Sequence, residues 1–395
     1  MAIVRHSVSL DRREQATALA ALAISRARDC DDQRRFAEQF ELCSDLHNLT
    51  LYSSATAAFY HAIDAAGWEP GEVLLPEYEF HSVPQAIELA GHRPVYAPVD
   101  PTTFLLDLER LEQHIGPATR AVLYLHTFGL ARDLTPLREL CDRRGLALIE
   151  DCAHAAGARP GNGWAGRWGD ISIFSFGDGK SLVCLGGGLV AVRDEQLHQR
   201  LAQRVSQFTA EPRTAQIKRT VAGLAKAALT TRTGFGLIAY PALRLGLGRL
   251  ATSLTTNPLR PLEAAPQAWL RSFPCGGARL GLEQLSRLDE LNARRRANAA
   301  MLDQVLRECP AVELPIEPPG ADHTYLCYAI KVGDAQRLAR GLIRRGIDVR
   351  PDYMSCLNSQ SALADHRGRV LYLPNHPNIE PDDACRAARS VIELL

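Results

Sequence analysis

No C-x-x-C pair occurs among the ten cysteines of this 395-residue chain. That spacing marks zinc sites and redox dithiols, and without it the scattered cysteines read as thiols in a reducing compartment. No apolar run reaches the ~20 residues of a membrane span. Residues 1–10 hold no apolar stretch suited to a secretory leader. Charge of either sign is not in excess: Lys plus Arg and Asp plus Glu are 45 each. Global charge therefore argues for neither nucleic acid nor membrane as a partner. No G-x-G-x-x-G follows a strand pattern, so a dinucleotide site has no fingerprint. With 46% apolar residues, the chain has enough for a full core. A cytoplasmic enzyme is the expectation that remains.

What is present begins with alternation. Residues 11–46 read as helix-rich, with Phe36 and Phe40 at i, i+4 spacing. From Leu49 onward, short apolar strands alternate with helical patterns: strands at 49–52, 72–75, 94–97, 121–125 and 147–149, helices at 57–66, 82–90, 108–114 and 136–144. Such alternation predicts a mainly parallel α/β sheet, whose ligands bind outside the carboxyl ends of the strands. Residues 280–305 predict one long amphipathic helix, with leucines at 282, 285, 288 and 291. Beyond it come strand patterns at 324–332 and 370–373, and helices at 336–346 and 381–394. The expected organisation is a large domain over 1–280 and a linking helix with a small α+β domain over 281–395.

Residues 147–192 carry the chemistry. A short strand delivers Glu150 and Asp151. A second strand, 171–176, runs past Ser175 to Lys180 among glycines. A lysine amine can form a Schiff base with an aldehyde cofactor, a carboxylate can hold a pyridine nitrogen protonated, and a hydroxyl can take a phosphate. Together they suit pyridoxal 5′-phosphate (PLP). Further upstream, Ser53-Ser54-Ala55-Thr56 sits between a strand and a helix start. Unpaired first-turn amides and a positive dipole end make that a ready phosphate site.

These motifs resemble the DegT/DnrJ/EryC1/StrS family of PLP-dependent sugar aminotransferases, a branch of fold-type I. The family's E-D-x-A-[QH]-x-x-G appears as Glu150 through Gly157, its S-F-x-x-x-K as Ser175 through Lys180, and its glycine pair within Gly186-Gly187-Gly188. The resemblance covers roughly 36–205 and 278–395. It implies a fold-type I architecture, a homodimer, an amino acid donor such as glutamate and a carbonyl acceptor such as a keto-sugar.

Residue by residue, the resemblance makes Lys180 the Schiff-base lysine and proton shuttle; otherwise it is a solvated surface lysine. Gly177 and Gly179 would leave room for a cofactor ring. Asp151 would pair with the ring nitrogen. Glu150 competes for that role, although strand alternation sends the two to opposite faces. His154 stands near the ring hydroxyl, where a neutral imidazole can donate, or is a satisfied structural histidine. Ser175, Ser54, Ala55 and Thr56 would bind phosphate. Ala55 replaces the family's usual glycine, a cost if that position requires positive φ. Otherwise the loop is a plain helix N-cap, and Ser175 a strand-end hydroxyl bonded to backbone. Phe80 would stack on the ring, with Tyr78 the alternate. His126 and Gly129 read as structural. No metal site is expected.

The substrate side departs from the pattern. The family's G-Y-N-[YF]-R segment reads Arg271 through Arg279 here, without its Asn, and H-Y-x-P-L-H has lost both histidines at 351–357. Another PLP reaction (dehydration, decarboxylation or C–C bond formation) or a PLP-binding regulator with little turnover therefore stand as alternatives. An atypical insertion is expected at about 205–265. Within it, residues 212–261 carry eight cations and no acid. The segment is either a basic face balanced by acids elsewhere in the fold or a contact for an anionic partner or membrane surface.

Overall fold

The computed structural model of the protein describes residues 2–24, 31–244, 262–351, 354–358, 363 and 368–395. The apolar runs of the first half form a seven-stranded sheet. Its order is Leu49–Tyr52, Gly188–Val192, Ile171–Ser175, Ala147–Asp151, Thr119–Leu125, Glu72–Pro76 and Arg93–Ala97. Gly188–Val192 runs antiparallel to both neighbours, and the other pairings are parallel. Strands covered on both faces need near-continuous apolar runs, and Val73, Leu74, Leu75, Val122, Leu123 and Ile149 are fully buried accordingly.

Helix Ala55–Ala66 packs on one face through Ala58, Ala62 and Ile63. Helix Asp31–Ser44 lies on the other, where Phe36 and Phe40 meet Phe174 and Phe176. A separate apolar cluster joins helices Leu288–Leu306, Ala335–Arg344 and Pro381–Ile392 to a three-stranded sheet of Tyr328–Lys331, Val370–Leu373 and Arg350–Pro351. Ile3 belongs to this cluster, and its backbone bonds Gly346 and Asp348. The first residues of the chain are thus tied to the last hundred.

Two expectations are corrected. The single helix expected at 280–305 is two, Cys275–Leu285 and Leu288–Leu306, broken at Ser286 and Arg287. Arg287 is held by Asp11 at 2.7 Å and Glu14 at 2.9 Å, while Gln284 is fully buried and donates to the Ser9 carbonyl. These contacts tie the break to residues 9–14, and the leucine periodicity alone cannot reveal the turn. The cysteines are not thiols throughout: among the described residues eight are free, but Cys275 is disulfide-bonded. No spacing marks that bond in the sequence. No described helix is long and apolar enough to cross a membrane.

Candidate active site

Asp151 ends one parallel strand and Ser175 the next; Glu79 and Phe80 follow a third, and Ser53 and Ser54 a fourth. The sheet order gathers these ends along one edge. Lys180 sits five residues past Ser175 in a turn where its amide donates to the Gly177 carbonyl at 3.1 Å. The lysine is half-buried, and its charge acts on Asp151, Glu79 and His154, all of them buried.

Glu150 and Asp151 diverge as strand alternation requires. Glu150 accepts the amides of Gly166 at 2.8 Å and Trp168 at 2.6 Å, that of Gly169, and His126 Nε2 at 2.9 Å. These four bonds occupy both Glu150 oxygens and tie it to the loops around it. Among the described residues, the Asp151 carboxylate accepts only the Ala153 amide, at 2.8 Å. Burial pushes its pKa up to about 6, against the lowering effects of that amide, Lys180 and His126.

His154 is pushed well below its ordinary pKa, by burial first and then by Lys180. Its ring is therefore neutral at pH 7. Nδ1 accepts the Phe128 amide at 3.3 Å, which places the ring proton on Nε2 as a donor. The loop behind it is tightly held. Gly157 has φ +79°, and a Cβ there would meet Asn292 Nδ2 at 2.9 Å, while Asn292 donates to the Ala156 carbonyl.

The phosphate candidates also converge. Ser175 pairs with Gly188, and a Cβ on Gly188 would lie 2.6 Å from the Ala55 nitrogen. Ser54 caps helix Ala55–Ala66 by accepting the Ala57 amide at 3.1 Å. Ala55 is helical and carries no positive φ, so the feared cost of replacing glycine does not arise. The Thr56 hydroxyl shares a 3.2 Å hydrogen bond with Ser82, a partner the sequence reading did not single out. The Ser175 hydroxyl is half-buried and bonds no described residue.

Phe80 is half-exposed, whereas Tyr78 is 5% exposed and spends its hydroxyl on Tyr372 at 2.7 Å. Tyr78 is thus part of the core, and Phe80 is the more exposed of the two rings. Gly179 does not open onto space: a Cβ there would meet the His6 ring at 3.2 Å. His6, missed from sequence, lies against the lysine turn with its pKa lowered to about 4 by burial first and Arg5 second.

Part of the basic segment docks beside the same turn. Lys226 pairs with Asp178 at 2.8 Å, Arg219 with Glu211, and Arg232 with Asp383 at 3.2 Å. Residues 245–261 of that segment, and 352–353 of the altered late motif, lie outside the described residues.

A mostly parallel sheet with one antiparallel strand, and a carboxylate, a serine and a lysine at its strand ends, define a fold-type I PLP-dependent transferase fold. The model of the DegT/DnrJ/EryC1/StrS aminotransferase family matches residues 8–227 and 277–389, and the chain belongs to that family. The family is PLP-dependent. Much of the expected insertion falls in the unmatched stretch. Among curated relatives, L-glutamine:2-deoxy-scyllo-inosose aminotransferase of Streptomyces kanamyceticus is 30% identical over 305 residues, covering 77% of this chain and 63% of that protein. The chain thus spans less than two thirds of that relative. The aminotransferase TlmJ from Streptoalloteichus hindustanus has the same fold, with a TM-score of 0.77 at 24% identity over 100% of this chain and 99% of that one. NtdA from Bacillus subtilis, solved with bound cofactor PMP, has a TM-score of 0.72 at 21% identity, covering 100% of this chain and 86% of that one.

Proposed function

We propose that the chain is a PLP-dependent aminotransferase that moves an amino group from an amino acid, glutamate or glutamine, to the ketone of a polyhydroxylated ring such as a keto-sugar or keto-cyclitol. The observation that carries this is the convergence of Lys180, Asp151 and His154 at one buried strand-end cluster. Family membership and the relative named for glutamine and an inosose support it.

The residues present fit the cofactor. Asp151 would hold the ring nitrogen, His154 Nε2–H would donate to the ring oxygen, and Phe80 would cover the ring face. Ser54, Ala55, Thr56 and the unbonded Ser175 hydroxyl would hold the phosphate at the helix start, where anions are favoured. The bound cofactor supplies an aldehyde for the amino group and an electron sink for a carbanion. Lys180 would carry the cofactor covalently, and once displaced its Nζ would take the proton from the donor carbon and return it to the neighbouring position. Asp151 stays anionic opposite a cationic nitrogen, the charge pairing that an electron sink needs. His154 stays neutral and so donates without adding charge. Because active sites of the family lie at a subunit interface by the resemblance above, we take the working form to be a homodimer.

The donor half-reaction is the test. Holo-protein mixed with glutamate or glutamine should lose its visible absorption band with release of the keto acid, and a ketone acceptor should restore the band. No spectral change with any amino acid would contradict the aminotransferase reading.

For the basic segment we favour the structural reading, since Arg219, Lys226 and Arg232 are spent on acids of the fold. Contact with an anionic surface then rests on exposed Arg213 and Lys218 beside exposed Ile217, Val221, Leu237 and Ile238.

A further inference from the structure

The glycine that precedes Lys180 is not required by its own backbone. Gly179 has no positive φ, so the turn would accept a residue with a side chain there. What a side chain would meet is another ring. A Cβ on Gly179 would lie 3.2 Å from Cε1 and 3.3 Å from Nε2 of His6. At Gly177, two residues earlier, a Cβ would reach only Lys180 Cγ, at 4.0 Å. The close approach therefore belongs to Gly179 and His6, and not to the glycines of the turn in general.

His6 cannot simply retreat, because the chain is pinned on both sides of it. The Ile3 amide donates to the Gly346 carbonyl at 2.7 Å, and the Ile3 carbonyl accepts the Asp348 amide at 2.8 Å. The Val4 carbonyl is bonded by His376 Nε2 at 3.1 Å, and the Arg5 amide donates to Asp348 Oδ2 at 3.2 Å. Past His6, the Val8 amide donates to Thr230 Oγ1 at 3.3 Å, and the Ser9 carbonyl accepts Gln284 Nε2 at 3.0 Å. His6 thus reaches the residue next to Lys180 from a strap fixed at both ends. The turn has two further holds: Lys226 on Asp178 at 2.8 Å, and the Lys180 amide on the Gly177 carbonyl at 3.1 Å.

We propose that His6 is a positioning residue for Lys180: its ring, held by the strap, packs on Gly179 and fixes the turn that aims the lysine amine. This rests on the reading of Lys180 as the cofactor lysine. A lysine amine ends a flexible four-carbon stem, so slack in the turn it leaves is passed on to the amine. Displacing a reacting group by about 1 Å can cost on the order of a hundredfold in rate. The ring suits the task electrically as well. With its pKa lowered to about 4, by burial first and Arg5 second, it is uncharged at neutral pH and adds no repulsion to the lysine.

The test compares the full-length wild type with His6→Ala, His6→Phe, Gly179→Ala and the double variant of His6→Ala with Gly179→Ala. In the unloaded proteins, hydrogen exchange at residues 177–180 should be about tenfold faster in His6→Ala, with the bonded amides of Ile3 and Arg5 unchanged. His6→Phe keeps a ring on Gly179 and should restore slow exchange. In the PLP-loaded proteins, the pH at which the visible band titrates should shift in His6→Ala and return in His6→Phe, a change that lost stability alone would not produce. Gly179→Ala should act like His6→Ala while His6 is present and add nothing once the ring is gone, because its Cβ then takes the ring's space. Unchanged exchange and titration in His6→Ala, or a Gly179→Ala effect of equal size with and without His6, would overturn the proposal. If His6→Ala does not fold, Gly179→Ala alone disturbs the same contact, and wild-type exchange and titration in it would overturn the proposal equally. Failure of the wild type to take up PLP would instead overturn the PLP reading, and it is seen apart from the exchange results, which need no cofactor.

Discussion

Glu150 and Asp151 are adjacent in sequence and serve opposite faces of the sheet: Glu150 ties His126 and three loop amides together, while Asp151 faces Lys180 with a single amide bond. Substitution should separate the two. Asp151→Asn should keep the fold and lose transamination by roughly 10²–10³-fold, since an amide cannot hold the ring nitrogen cationic. Glu150→Gln should instead destabilise the protein by about 3 kcal/mol or more, because it strips charge from a set of buried hydrogen bonds. Denaturant melts and steady-state rates on both variants check this, and a stable, active Glu150→Gln would contradict it.

Ser175→Ala should weaken PLP binding about ten- to hundredfold, the worth of one hydrogen bond to a charged group, with little change in stability. Ala55→Gly should bring no gain in affinity, because Ala55 already lies in the helical region. Equilibrium titration of the unloaded protein with PLP measures both.

The Asp151 contribution to the stability of the unloaded protein should fall as pH rises, and it is read as the difference between wild type and Asp151→Asn, because buried His6 and His154, with lowered pKa, make the whole-protein curve climb over the same range. Asp151 titrates near 6 when folded and near the ordinary 3.8 when unfolded. Between those values the folded state binds more protons at this group than the unfolded, so its contribution falls with increasing pH, by up to about 3 kcal/mol across the window. Glu79, raised by burial first and the Asp151 charge second, acts in the same direction. Asp151→Asn should remove the lower part of this slope. Melting curves of both proteins from pH 4 to 8 would show it, and a wild-type-minus-variant difference that grows with pH would contradict the burial of Asp151.

For the basic segment, the structural reading predicts no co-sedimentation with anionic vesicles at low salt. Salt-sensitive binding that is lost when Arg213 and Lys218 are replaced would reverse that preference.

Much of this site was readable from sequence because its residues lie at strand ends, where local pattern and position coincide. Asp151, Ser175 and Lys180 follow apolar runs too short for helices, and sheet order alone brings them together. Glu79 was not readable in the same way. It looked like any loop acid, and its burial comes from Ser355–Cys356, a strand remote in sequence that pairs against Tyr78–Glu79. His6 escaped for the same reason, since nothing local to residues 2–10 says that they cross to the lysine turn. The break at Ser286 and Arg287 was hidden because the leucine stripe continues through it, while the deciding contacts are ion pairs to Asp11 and Glu14.

The central claim is that Lys180 carries the cofactor. Reduction of the PLP-loaded protein with borohydride, followed by proteolysis and mass mapping, tests it directly. The pyridoxyl group should be found on the peptide containing Lys180, and Lys180→Ala should fold yet take no label. A label on another lysine, or full labelling of Lys180→Ala, would contradict the account.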